Sequence, residues 1–157
     1  MTLLVKEAPY SAADILPQGP MHRRVGDRDC IHAETKRTIE LFMGRDDRVS
    51  LKSLEKVSLG CVFFEAGYYW EAHEVWEGVW LECLPNSAEK FFLQAMIQLT
   101  NAKLKKDLGR FDAAVRLGKL SRALLEQAFS GKVESIYQIR LADITPFFEG
   151  FKSNNDI

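Results

Sequence analysis

Apolar and polar positions along the chain fall into a run of helical periods separated by glycine and proline. Asp29 to Met43 is the first, with Ile31, Ile39, Phe42 and Met43 as its apolar positions and Gly44 as its stop. Ser50 to Ala66 follows, with Leu51, Leu54, Val57, Cys61, Val62 and Phe64 on one side and Gly67 placed to cap it in the left-handed conformation. Tyr68 to Leu84 forms the next helix, ended by Pro85-Asn86, with a new start at Asn86 or Ser87. Ala88 to Leu108 is apolar on nearly every side through its middle, which predicts the most buried helix. Gly109 ends it, and Phe111 to Phe129 turns Ala114, Leu117, Leu120, Leu124 and Ala128 inward. Beyond Ser130-Gly131, Val133 to Leu141 alternates weakly and reads as an extended strap. Thr145-Pro146 opens a short helix through Phe147, Phe148 and Phe151.

All three tryptophans lie on the helix that follows Gly67. With His73 at the origin of a helical wheel, Tyr69, Trp70, Trp76, Glu77, Trp80 and Leu84 fall within roughly 60° of it. Glu71, Gly78 and Glu82 point the opposite way, toward solvent, and Glu74 lies at the margin. On the next helix Gln94, Gln98, Asn101 and Lys105 form one polar line within roughly 40°. An imidazole, several carboxylates and a row of amides therefore have the means to meet between two helices.

Gly67 to Ala72 and Gly109 to Ala114 share a Gly-x-aromatic-x-x-Ala pattern, in which glycine closes one helix and alanine lets the next approach. The first hairpin also carries Leu59-Gly60, Phe63, Gly67, Ala72 and Trp76 at tetratricopeptide offsets, with Pro85 one residue late. The two echoes are 42 residues apart, longer than the ~34 of that repeat, so a compact bundle of antiparallel helix hairpins is expected rather than a solenoid.

The chain has 157 residues, 46% hydrophobic and 27% charged, with a net charge of −1. One helical domain over residues 31–157 accounts for that length, preceded by an irregular arm over residues 1–30 that contains Pro9, Pro17, Gly19, Pro20 and Gly26. Lys103, Lys105, Lys106, Arg116, Lys119 and Arg122 read as solvated helix faces, and without a basic excess no nucleic-acid partner is expected. Cys30, Cys61 and Cys83 form no Cys-x-x-Cys pair, which suits reduced thiols in a cytoplasm. No segment approaches the ~20 apolar residues of a membrane span.

Phe64 to Trp80, followed by Phe92 to Lys103 and a Gly-x-x-x-Ala-Ala step, resembles the domain-of-unknown-function 309 family over about residues 50–130. The resemblance implies a small all-α protein of uncharacterised activity, bacterial and cytoplasmic, with Glu71, His73, Glu74, Glu77, Trp80, Gln94 and Gln98 at motif positions. Where the family commonly has Asn before Ala66-Gly67, this chain has Glu65, which adds a carboxylate at that turn.

The candidate polar cluster is Glu65, Tyr69, Glu71, His73, Glu74, Glu77, Trp80, Gln94, Gln98 and Asn101. Three chemistries fit it. A buried network could fix helix register, and breaking such a pair costs about 3–5 kcal/mol. A metal could sit on His73, Glu74 and Glu77, although His-Glu-x-x-Glu lacks the second imidazole of zinc proteases. Acid–base chemistry could pair a glutamate in aromatic surroundings with His73, but no nucleophile is placed beside them. The preferred reading is a non-catalytic binding or interaction module, without cofactor or metal, whose hairpins suit a protein or peptide partner or a homodimer. The competing one is a metal-assisted or acid–base hydrolase using His73, Glu74 and Glu77.

Overall fold

The computed structural model describes residues 52–151. The expected arm and the helix over 29–43 lie outside them. The described chain is an all-α bundle: α1 (Ser53–Glu65), α2 (Tyr69–Glu82), α3 (Ala88–Asp107), α4 (Phe111–Ala128), the single turn α5 (Leu141–Ile144) and a 3-10 helix (Thr145–Phe151). Each long helix packs mainly on its neighbour in sequence, and the 3-10 helix returns to α4.

Two glycines make the hairpins by the same means. Gly67 and Gly109 have φ of 87° and 75°, a conformation that costs an L-residue about 1–2 kcal/mol. At the first joint the Gly67 N–H donates to Phe64 O at 3.0 Å and the Tyr68 N–H to Phe63 O at 2.9 Å. The second joint repeats this with Gly109 to Lys106 O at 3.0 Å and Arg110 to Lys105 O at 2.9 Å. Both are Schellman caps, which satisfy carbonyls that a helix end otherwise leaves open. The third joint is chemically different: Ser87 Oγ accepts the Lys90 N–H at 3.2 Å and starts α3.

Trp76 locks α1 against α2. Its Nε1–H donates to Val57 O at 3.1 Å, and its indole lies so close to Gly60 that a Cβ there would overlap the ring. Phe64 packs on the same indole with ring centroids 5.8 Å apart. The buried residues of α4 are Leu125 and four small ones, Ala114, Gly118, Ser121 and Ala128. Ser121 Oγ–H donates to Ala95 O of α3 at 2.7 Å. The 3-10 helix seats Phe151 over Gly118, where a Cβ would come within 2.9 Å of it. Lys103 Nζ stands 4.9 Å and Lys106 Nζ 5.7 Å from the Phe151 ring, and the Arg122 guanidinium 5.3 Å from that of Phe148. Part of the basic face read as solvated thus grips the C-terminal phenylalanines.

Several expectations are corrected. α1, not α3, is the more enclosed helix, with eight of its thirteen residues buried against nine of twenty in α3. Leu54 and Leu120 are 37% and 45% exposed, because the inward stripe of α4 passes through Gly118 and Ser121 and that of α1 begins at Lys56. The Val133–Leu141 strap is no extended segment. Ile136 and Ile139 exchange both backbone hydrogen bonds, at 2.9 and 3.0 Å, around Tyr137 and Gln138 at φ of 52° and 63°. The tight turn drives both isoleucines into the core.

Gly60→Ala is expected to cost about 2–3 kcal/mol, since the added methyl must displace a packed indole, whereas Gly109→Ala meets nothing within 4 Å and should lose only its backbone share, about 1 kcal/mol. Urea unfolding followed by tryptophan fluorescence measures both.

Candidate functional site

The helical phase of α2 decides what the site can be. Its buried residues are Glu71, Ala72, Val75, Trp76 and Val79, an arc centred roughly 130° from His73. The aromatic face centred on His73 is therefore not the core face. Ala and Val allow α2 to approach its neighbours closely, and the single deep aromatic is Trp76. Tyr69, Trp70 and Trp80 are left half-buried on the flank, and Leu84, beyond the helix end, is 78% exposed.

Glu71 is the sharpest correction. Expected in solvent, it is 0% exposed, in line with Val75 and Val79 on the inward face. Burial raises its carboxyl from the ordinary 4.5 to about 7, opposed in part by a hydrogen bond from its own backbone N–H. Cys61 is likewise sealed, and burial, with the Glu65 charge added, pushes its thiol well above the usual range.

At the edge of the α2–α3 seam, His73 bridges the two helices. The hairpin turns over residues 83–87, so positions 73 and 101 lie at comparable distances from it. The His73 Nδ1–H donates to Asn101 Oδ1 at 3.0 Å, and Asn101 Nδ2–H donates to Gln98 Oε1 at 3.4 Å. On the other side of the ring Nε2 faces Glu77 Oε2 at 3.0 Å. The side chain of His73 is 20% exposed and that of Glu77 49%. His73 thus meets the amide row through Asn101 rather than through Gln94 or Gln98, and one side of the link is open to water. Glu74 joins His73 and Glu77 in the one group among the described residues with the donors and spacing of a cation site.

The other sequence candidates are dispersed. Tyr69 packs edge-on against Phe64, centroids 5.5 Å apart. Trp80 lies beneath Lys90 Nζ, 4.3 Å from its ring, a pairing that no spacing in the sequence announces because it joins two helices. Glu65 is half-buried near Cys61, and Gln94 is half-buried one turn above Gln98 on α3. Cys83 Sγ stands 3.6 Å from Tyr137 OH, beside a groove of about 320 Å³ lined by Val79, Glu82, Leu84, Ser87 and Glu89 among others. A second groove of about 410 Å³ runs over Gly109–Ala113 and Arg116. The His73 seam lines neither.

Residues 57–117 match the family model of DUF309, a domain of unknown function. The resemblance seen in the sequence is borne out over that span, which runs from the middle of α1 into the second turn of α4 and includes every candidate site residue. No curated protein and no solved structure matches the chain. Within the DUF309 segment, then, the site must be judged by its own geometry. No described helix is long and apolar enough to cross a membrane.

The buried carboxyl gives a pH signature. Between pH 4.5 and about 7 the unfolded chain has released the Glu71 proton while the folded chain retains it, so stability falls as pH rises through that window. Glu71→Gln removes the penalty and is expected to be more stable than wild type at pH 8 by up to about 3 kcal/mol, with no difference near pH 4. Denaturant melts at the two pH values, compared between the two proteins, measure it.

Proposed function

We propose that the protein is a small helical binding module that offers the seam of His73, Glu74, Glu77 and Asn101 to a ligand and performs no chemical step itself. The observation that carries the reading is the orientation of His73, held by Asn101 from a second helix while its opposite nitrogen faces a half-exposed carboxylate. A half-exposed ion pair adds little to stability, so packing alone gives a weak reason for holding the ring this way. An oriented ring on an accessible edge is arranged to meet something from outside.

The hydrolase reading is weaker because its requirements fall on different residues. Acid–base catalysis needs a group that titrates near the working pH and can reach its substrate. Glu71 has the raised carboxyl but is fully enclosed. Cys61 is sealed with its thiol pushed up, away from the thiolate form that attacks.

The stability cost of opening the seam tests this. A half-exposed i,i+4 pair contributes at most about 1 kcal/mol and one interhelical hydrogen bond about 1 kcal/mol more. His73→Ala is therefore expected to lose no more than about 2 kcal/mol and Glu77→Gln less than about 1 kcal/mol in urea unfolding. Losses of about 3–5 kcal/mol, the cost of breaking a sealed charged pair, would make the cluster a packing device. Hydrolysis of p-nitrophenyl esters or phosphates that disappears in His73→Ala would make it an active site.

A further inference from the structure

We propose that His73, Glu74 and Glu77 are the protein ligands of a first-row divalent metal ion, with Asn101 as the residue that aims the imidazole. This rests on the seam being ligand-facing, as argued above, and gives its ligand a chemistry. One donor atom from each of the three residues lies within 4.8 Å of the other two. Bonds of about 2.0–2.2 Å around a tetrahedral ion set its ligand atoms about 3.3 Å apart. His73 Nε2 and Glu77 Oε2 at 3.0 Å already have that span.

The hydrogen bond on the far side of the ring adds a requirement that the acidic residues alone would not. Asn101 Oδ1 can only accept, so the ring proton it receives sits on Nδ1. Nε2 then presents its lone pair to a carboxylate oxygen 3.0 Å away, and the contact is attractive only with a positive centre between them, a proton or a cation. An imidazole that ligates a metal generally gives its other N–H to an acceptor that fixes the tautomer and the ring's direction. Asn101 does this from a different helix, and its amide is itself bonded to Gln98 at 3.4 Å.

The missing second imidazole, which argued against a metal at the level of sequence, changes the type of ion rather than excluding one. One imidazole and two carboxylates are a nitrogen–oxygen set without thiolate, suited to Zn²⁺ or Mn²⁺ and poorly suited to Cu⁺. Three protein ligands leave at least one position for water or for an oxygen of a partner.

The test uses the full chain, purified without an affinity tag and stripped of metal. Calorimetric titration with Zn²⁺ is expected to show one equivalent per chain, and Co²⁺ should compete for it and develop visible absorption. His73→Ala and Glu77→Gln should weaken Zn²⁺ at least about 100-fold, and Asn101→Leu about 10–100-fold, each with unchanged helicity by circular dichroism. A wild-type chain that takes up neither Zn²⁺, Mn²⁺ nor Co²⁺ at one equivalent overturns the proposal. So does uptake that His73→Ala leaves unchanged, since the ion would then belong to His22, His32 or the thiols. Melts of the metal-free variants separate the two ideas. If metal-free His73→Ala melts far below wild type, the ligand-facing seam fails; if it melts close to wild type and Zn²⁺ still does not bind, only the metal assignment fails.

Discussion

The contact of the Trp76 indole with Gly60 and Val57 O sets the rotation of α2, and nearly everything about the site follows from that angle. With the indole nitrogen bonded to an α1 carbonyl at 3.1 Å, α2 cannot turn its other tryptophans inward. Val75, Val79 and Ala72 are carried into the core instead, and Glu71 is carried with them. His73, roughly 130° from the centre of that arc, arrives at the rim of the α2–α3 seam. There it is close enough to bond Asn101 and exposed enough to meet solvent. A rotation of even one residue position would either bury the imidazole or detach it from α3.

Within two turns of helix α2 therefore holds two carboxylates with opposite properties. Glu71 is enclosed, its proton held up to about neutrality by burial. Glu77, six residues on, is half in water and faces an oriented imidazole. The first taxes stability and the second is available to a ligand, and the separation between them is the main reason to favour binding over catalysis.

Local chemistry made the boundaries of the helices legible, and geometry between elements was not. Gly67, Pro85 and Gly109 mark their joints because backbone conformation is a property of a few adjacent residues. The all-α class and the amide row on α3 follow from helical period, but which member of that row meets His73 did not: Asn101, rather than Gln94 or Gln98, takes the bond. Nor did the phase of α2, since three tryptophans outweigh valine and alanine on a wheel, although small and β-branched residues are what close helix approach requires. Leu120 was misplaced for the same reason: Gly118 and Ser121 hold the contact and look too small or too polar to do so. The turn at Tyr137-Gln138 has no glycine or asparagine to announce its left-handed residues. Lys90 over Trp80 and the cations around Phe151 join distant parts of the chain, beyond the reach of periodicity.

The hollow above Gly118 has a consequence for how the molecule is made. It is filled from more than thirty positions downstream, by Phe151, so during synthesis Gly118 lacks this partner until the 3-10 helix has emerged from the ribosome. The two hairpins can form as they appear, each closed by its own glycine, but the seat over Gly118 waits for residue 151.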